Sequence, residues 1–523
     1  MILINSAQYV ISDLQAEFGK IPPTFLPLGS RRLFELQVEE LSKTFPGEDI
    51  YLSLPSDFTI PHCDLKLIQE LGLFILKHPV HLSLGESVLK SLREVKSSLE
   101  VIRILHGDTL ILDLPRFEDC ISVSVPSSEQ NWFYENNGDN AVWTGYFSIS
   151  DRNQFITRLE GDLNFENSIK GYGEKVVCPR VTSMSWLDFG HVSTYYRARV
   201  DRLVKRDFNE IYFDSGYLKK TGSKKKIQAE IHWYQSVPWE IKIMLPQFFQ
   251  ELESSESNSY LMEYLPIPSL AEIFVFGNSS RQFWLNIFEL LDSYFTFCSS
   301  LTFEEFPFQD SQLVQARFES NVRDHISNRM VLFEHSSGWF NRIKPISVNG
   351  SAPCSVDFLV TECLSHIANS PPTFGVQHGD LCLSNILFEV RSNRIRLIDP
   401  RGMDFTGENT IYGDLRYDFA KLAHSFLGFY DFIIAGRYEF FDHSSSEDLV
   451  YSLNFLVEDS KLSRAEDFFL TFLKDKCIEK PTLAYMVILF ITMLPLHEEN
   501  STRQRVLLAN SVLLFNKYLR SDS

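Results

Sequence analysis

The stretch Gln377-His378-Gly379-Asp380-Leu381-Cys382-Leu383-Ser384-Asn385-Ile386-Leu387-Phe388, followed by Ile395-Arg396-Leu397-Ile398-Asp399-Pro400, decides the fold of the second part of this chain. An Asp and an Asn stand five residues apart, and a second Asp follows fourteen residues later at the end of an apolar run. Residues 386–388 and 395–398 read as two short strands joined by the turn-prone Arg391-Ser392-Asn393. A hairpin there carries Asn385 and Asp399 to one rim. Phosphoryl transfer from a nucleotide needs this set of groups: one carboxylate takes the proton of the attacking hydroxyl, while an amide and another carboxylate hold magnesium against the phosphates. Asp380 is the candidate base, beside His378, and Asn385 and Asp399 are the candidate metal ligands.

In order and spacing, His-Gly-Asp, Asn385 and Ile398-Asp399 resemble the aminoglycoside phosphotransferase and choline kinase superfamily, the small-molecule branch of the protein-kinase fold. The resemblance implies an α+β bilobal kinase-like domain with its catalytic loop in residues 377–402, using Mg²⁺ and ATP or GTP. One departure is Asp399-Pro400-Arg401-Gly402, where the family usually carries an aromatic or apolar residue and then an acidic one. Pro400 stiffens this turn. Arg401 joins Asp380 and His378 among the catalytic candidates, with two roles open. It pairs with a phosphate or an acidic substrate, or it is a structural partner for a carboxylate such as Asp414 or Asp418. Asp418, in Gly413-Asp414-Leu415-Arg416-Tyr417-Asp418, stands where a helix N-cap and a brace for the catalytic loop are expected.

Such a domain needs a small lobe upstream. Residues 208–212 and 216–220 read as strands around a glycine turn, followed by Lys224-Lys225-Lys226 and a helical run over 227–234 containing Glu230. The superfamily pairs a strand Lys with a helix Glu to hold the α- and β-phosphates. Lys219 is the first choice for that Lys, Lys220 the next, and Glu230 the partner. Tyr260-Leu261-Met262-Glu263-Tyr264-Leu265 resembles the strand and hinge against which adenine packs, with backbone groups of Glu263 and Leu265 bonding the base. Residues 251–258 read as a polar hairpin tip and residues 281–300 as an aromatic-rich core helix.

The bulk numbers frame this reading. A chain of 523 residues, 44% hydrophobic and 14% aromatic, holds material for several cores. Its net charge of −19 repels a nucleic-acid backbone, and the one basic cluster, residues 219–226, belongs to the small lobe. Eight scattered cysteines without a C-x-x-C pair point away from zinc and disulfides and toward a reducing compartment. With no secretory signal evident, a cytoplasmic location is expected. Residues 483–496 are too short and too interrupted for a membrane span and read as a buried helix. Oligomeric state stays open.

Residues 1–204 are of another kind. A strand at 1–4, the run Leu26-Pro27-Leu28-Gly29 before an amphipathic helix, the turn His106-Gly107-Asp108-Thr109 and the later Trp186-Leu187-Asp188-Phe189-Gly190-His191 resemble, in this order, the sugar-nucleotide pyrophosphorylases. That resemblance implies an α/β, GT-A-like (Rossmann-like) nucleotidyltransferase domain in which Asp108 and Asp188 hold a metal and nucleotide phosphates. The family's glycine-rich loop after the first strand is replaced here by Asn5-Ser6-Ala7-Gln8-Tyr9-Val10-Ile11, which has neither glycine nor arginine. A domain that binds a nucleotide sugar, or holds substrate for the kinase, fits these losses.

The expected division is therefore 1–204 nucleotidyltransferase-like, 205–268 kinase small lobe and 269–523 kinase large lobe, with a charged helix over 199–207 at the boundary. The expected activity is ATP-dependent phosphorylation of a hydroxyl on a sugar or amino alcohol, in surface polysaccharide precursor synthesis. Three alternatives stand beside it: a bifunctional kinase and nucleotidyltransferase, sugar transfer by the front domain through Asp108, and a non-catalytic nucleotide-binding assembly protein.

Overall fold

The computed structural model describes residues 1–95, 101–126, 132, 140–201, 209–214, 216–253, 258–300, 311–457, 459–476 and 478–520. The chain divides into unit 1, Met1–Leu203 with Phe276–Ser279, and unit 2, Val204–Val275 with Ser280–Ser523. The charged boundary helix is seen as far as Asp201. The rest of that segment, Phe208 of the first small-lobe strand, and residues 254–257 of the hairpin tip lie outside the described residues.

Unit 1 is built on a seven-stranded sheet. Its strands are β1 (Ile2–Asn5), β2 (Ile50–Pro55), β3 (Phe74–His78), β4 (Ile102–His106), β5 (Cys120–Ser124), β6 (Val142–Ile149) and β7 (Arg180–Thr182), in the order β7-β5-β6-β4-β1-β2-β3. β1 runs parallel to β2 and β4, β2 runs parallel to β3, and β6 is antiparallel to both β4 and β5. Runs such as Ile2-Leu3-Ile4 are apolar without alternation because both faces of a central strand are covered. One face packs on Phe25, Phe34, Val38 and Leu41, the last three from α1 (Leu33–Thr44), and the other on Val88, Leu92, Phe155 and Phe165. The parallel strands β1 and β4 both run toward the sheet edge where Asn5, His106 and Asp108 gather, the end at which such sheets bind ligands.

Unit 2 begins with a four-stranded antiparallel sheet of β8 (Asn209–Asp214), β9 (Tyr217–Gly222), β10 (Phe248–Glu253) and β11 (Asn258–Glu263), in the order β8-β9-β11-β10. Helix α2 (Lys224–Ser236) packs on it through Ile227, Ile231 and Tyr234. The rest is mainly helical: α3 (Arg281–Ser300), α4 (Ser311–Ser336), α5 (Leu415–Phe426), α6 (Tyr430–Ile434) and α7 (Glu479–Thr492). The hairpin of β12 (Ile386–Glu389) and β13 (Arg394–Leu397) lies among them. Helix α7 is buried all round, as an apolar run without a polar face requires. No helix among the described residues is long and apolar enough to cross a membrane.

Two buried aspartates of unit 2 differ in sign. Asp414 is fully buried, caps α5 through the Arg416 N–H, and meets the Arg416 guanidinium at 2.6 Å. Asp414→Ala strands that guanidinium, so calorimetric unfolding is expected to show a loss of about 3–5 kcal/mol. Asp431 is 7% exposed, with one carboxylate oxygen lacking any partner among the described residues, and burial pushes its pKa up from 3.8 to about 6. The stability of its protonated form is full below the unfolded value and is lost as pH rises through the folded one. Asp431→Asn escapes that loss. Its stability relative to the parent is expected to improve by about 1.4 kcal/mol between pH 5 and pH 8 in paired denaturant melts.

Candidate functional site

The catalytic loop of unit 2 is hung from one buried carboxylate. Asp418, on the first turn of α5, accepts the His378 N–H at 2.7 Å and the Gly379 N–H at 2.8 Å. Gly379 has φ 78, a conformation that favours glycine, and any side chain there would strike the Cβ of Arg401. Asp418 is thus the brace expected from the sequence, but the N-cap of α5 is Asp414. His378 does not reach solvent. Its ring is fully buried against Trp233, its Nδ1 accepts the Asp380 N–H at 3.3 Å, and burial pushes its pKa down to about 4. It shapes the loop as a neutral imidazole; as a group acting on substrate it is corrected by its burial.

Asp380 presents its carboxylate to the open side, with its side chain 42% exposed. Lys421 Nζ lies 2.8 Å from Oδ1, and Asn385 Nδ2 lies 3.2 Å from Oδ2 and 2.8 Å from the Asp380 carbonyl. Burial pushes the Asp380 pKa up, but the Lys421 ammonium outweighs it and holds the carboxyl below its ordinary value. Lys421 was not foreseen in the sequence. It sits three residues after Asp418 on α5, the helical spacing that puts two side chains on one face, and that was the available signal.

Asp399 follows the hairpin with φ 57, a left-handed conformation that costs energy for a residue with a side chain. It is over-determined: Ile398 N–H donates to the Asn385 carbonyl at 3.0 Å, and Asp399 N–H donates to the Tyr234 hydroxyl at 3.2 Å. Lys220 Nζ lies 2.9 Å from Asp399 Oδ1 and 2.8 Å from Glu230 Oε2, and the Tyr260 hydroxyl donates to the same Glu230 oxygen at 2.7 Å. Burial alone lowers a lysine pKa, but the charges of Asp399 and Glu230 overcome it and keep Lys220 protonated. The first choice of Lys219 is therefore corrected to Lys220. Successive residues of a strand face opposite ways, and Lys220, 2% exposed, is the one turned toward α2.

The remaining oxygens suit a hard cation. Asn385 Oδ1 and Asp399 Oδ2 have no hydrogen-bond partner among the described residues, and magnesium takes one or two such protein oxygens alongside substrate phosphates. No group of three or more His, Cys, Asp or Glu able to hold a metal occurs among the described residues. At the hinge, Leu265 N–H has no described partner, whereas Glu263 N–H donates to the Gln247 carbonyl at 2.8 Å. The Glu263 N–H is thus taken by the neighbouring chain.

Arg401 packs its guanidinium 4.4 Å from the Phe405 ring centroid. Its proposed structural partners are engaged elsewhere, Asp414 by Arg416 and Asp418 by the loop amides. Gly402, with φ 64, lies so close to α2 that any Cβ would collide with the Ala229 carbonyl.

In unit 1, Asp108 and Asp188 come together across the ladder of Thr109–Ile111 with Trp186–Asp188, flanking Gly190 so closely that a Cβ there would lie 2.9 Å from Asp108 Oδ2 and 3.3 Å from Asp188 Oδ1. Burial and then the Asp188 charge push Asp108 up to about 6. Asp188 is held by Thr194 Oγ1 at 2.6 Å and His191 Nδ1 at 2.8 Å. The segment replacing the glycine loop is tied into the unit: Asn5 Oδ1 accepts from Ser53 and Ser87, Thr24 N–H donates to Ser6 Oγ, and the Tyr9 hydroxyl and Lys20 both bind Asp57.

Unit 1 is an α/β domain on a seven-stranded mixed sheet, and unit 2 is an α+β domain in which a four-stranded antiparallel sheet precedes a mainly helical part. The sequence matches no protein-family model and no curated protein. Among solved structures the chain is similar to the nucleoside-diphosphate-sugar pyrophosphorylase from Vibrio cholerae RC9, at 14% identity over 38% of this chain and 98% of that one, TM-score 0.32. It is also similar to an aminoglycoside-3'-phosphotransferase of type VIII, at 14% identity over 57% and 99%, TM-score 0.32. A third is a thermostable mutant of aminoglycoside phosphotransferase APH(4)-Ia, at 12% identity over 60% and 93%, TM-score 0.37.

The two adjacent lysines separate in a simple assay. Lys220→Ala is expected to lower the ATP-dependent kcat/KM about 100-fold, because the phosphates lose their cation. Lys219→Ala is expected to stay within about threefold, since its half-buried side chain has no ion pair among the described residues. Steady-state kinetics with varied ATP checks both.

Proposed function

We propose that unit 2 is a magnesium-dependent kinase that moves the γ-phosphoryl group of ATP to a hydroxyl of a small polar metabolite such as a sugar. The carrying observation is the joint placement of Asp380, Asn385 and the Lys220–Glu230–Asp399 network. Lys220 binds the α- and β-phosphates while Glu230 fixes its position, and the Leu265 N–H faces the base. Asp380 orients the acceptor hydroxyl and takes its proton as the new oxygen–phosphorus bond forms and the bond to the departing ADP breaks. Asn385 and Asp399 would hold a magnesium ion, whose charge would offset that of the phosphates. An ionised, low-pKa aspartate suits this role, because the loose transition state asks for orientation more than for basicity.

For unit 1 the reading is a ligand-holding domain of nucleotidyltransferase ancestry, serving a nucleotide-sugar pathway of surface polysaccharide synthesis. The paired carboxylates Asp108 and Asp188 support retention of a nucleotide or sugar site. The Asn5–Tyr9 segment counts against triphosphate chemistry, because it lacks the glycines and arginine of a phosphate loop and its Asn5 and Tyr9 side chains bond Ser53, Ser87 and Asp57.

Asp380→Asn tests the kinase reading. Acceptor-dependent release of ADP is expected to fall by about two to four orders of magnitude, with binding of a non-hydrolysable ATP analogue within about threefold of the parent. An unchanged rate removes Asp380 as the base and the reading with it.

A further inference from the structure

We infer that Lys421 is a catalytic residue of unit 2, an ammonium that stays on the Asp380 carboxylate and donates to an oxygen of the phosphoryl group in transfer. This rests on the kinase reading above and adds a residue to that same site.

The base and this lysine share one support. Asp418, on the first turn of α5, carries the catalytic loop through the His378 and Gly379 N–H groups at 2.7 and 2.8 Å. Lys421 leaves the same helix three residues later, on the same face. One rigid element therefore sets the separation of loop and ammonium, and Lys421 Nζ stands 2.8 Å from Asp380 Oδ1. The Tyr417 ring, one turn earlier on α5, has its centroid 6.0 Å from that Nζ.

An ammonium carries three N–H donors. Lys220 meets two carboxylates, Glu230 and Asp399. Lys421 meets one, Asp380, and no backbone carbonyl or hydroxyl among the described residues accepts from it. Its side chain is 12% exposed, whereas that of Asp380 is 42% exposed. Little water is left to solvate a charge whose donors are incompletely used, and that is costly until another acceptor arrives. The open side of the Asp380 carboxylate is where the acceptor hydroxyl must lie.

Distance says what else comes there. A hydroxyl that gives its proton to Asp380 lies about 3 Å from the carboxylate. At attack its oxygen stands about 3–3.5 Å from the phosphorus. The phosphoryl oxygens are thereby brought toward Nζ, which borders the same carboxylate. Charge points the same way, because the transition state spreads negative charge over three equatorial oxygens. In the kinase reading Lys220 faces the α- and β-phosphates, and Lys421 is the ammonium that borders the base. As the acceptor oxygen–phosphorus bond forms, the hydroxyl proton passes to Asp380. The bond to ADP breaks with its electron pair leaving on ADP, and Lys421 keeps all three of its protons throughout.

The test uses the full chain with ADP, Mg²⁺ and aluminium fluoride, which takes the place of the phosphoryl group in transfer and needs no acceptor. Aluminium fluoride is expected to tighten ADP binding to the parent, read as the ADP Kd with and without it. Lys421→Met is expected to lose about tenfold or more of that tightening, while ADP alone binds within about twofold of the parent. Lys421→Arg, which keeps the cation, is expected to recover most of it. Removing the lysine by itself strands the Asp380 carboxylate, so the deciding pair is Asp380→Asn against the double variant Asp380→Asn, Lys421→Met. A further loss of about tenfold between these two assigns the ammonium to the phosphoryl group directly. Equal tightening in the two means that Lys421 acts only through Asp380 and overturns the inference, as does an equal weakening of ADP alone. A parent in which aluminium fluoride leaves the ADP Kd unchanged overturns the kinase reading itself, and the inference with it.

Discussion

A single ammonium group organises unit 2. Lys220 is almost wholly removed from water, and it is tolerable there because Glu230 and Asp399 stand within 2.9 Å of it. Three elements must therefore be in register before the charge is satisfied: β9 supplies the lysine, α2 the glutamate and the end of β13 the aspartate. Burying such a group stabilises little on its own, because desolvation offsets most of the attraction. What it gives is selectivity among arrangements, since any slip of one element leaves a buried charge unpaired. Tyr234 and Tyr260 extend the constraint by holding Asp399 and Glu230 through their hydroxyls.

The parts of this site that could be read in the sequence are those with a fixed spacing along the chain. Asp380, Asn385 and Asp399 fall on one loop and one hairpin, so counting residues suffices to bring them together. Lys219 and Lys220 differ only in which face of β9 they occupy, and the tripeptide around them has no apolar alternation to decide it. That the Glu263 N–H is taken was not legible, because its partner Gln247 lies on a separate segment of the chain. His378 looked catalytic because it neighbours Asp380, whereas its burial follows from Trp233 on another helix. Lys421 was legible only through its spacing from Asp418 on α5. The architecture was easier: the aromatic helix at 281–300 follows from composition, and the buried helix read over 483–496 is observed four residues earlier, over Glu479–Thr492.

Unit 1 shows how a missing motif is filled. The sequence says that glycine is absent after β1, and geometry says what stands instead: a Tyr9–Asp57–Lys20 cluster and a seryl network around Asn5. Those bonds engage the side chains of the segment that stands where a glycine loop would be, and the Ser6 and Val10 N–H groups go to the Ser53 and Ile21 carbonyls. Asp108 and Asp188 persist beside it, at the cost of mutual repulsion and burial. The Trp132 ring packs edge-on against the Trp186 and His191 rings, and His191 Nδ1 lies 2.8 Å from Asp188.

The close approach of Gly402 to Ala229 has a consequence for the lineage of this chain. The two backbones touch where no side chain fits, and the left-handed turn at Gly402 penalises every replacement independently. A descendant can redraw its surface loops or exchange surface charges without disturbing that junction. It cannot substitute Gly402 and keep Glu230 and Asp399 at their present separation from Lys220. Across divergent offspring, then, the acidic motif and this inconspicuous glycine should be inherited together, while Pro400 and Arg401 beside it are free to record changes of diet.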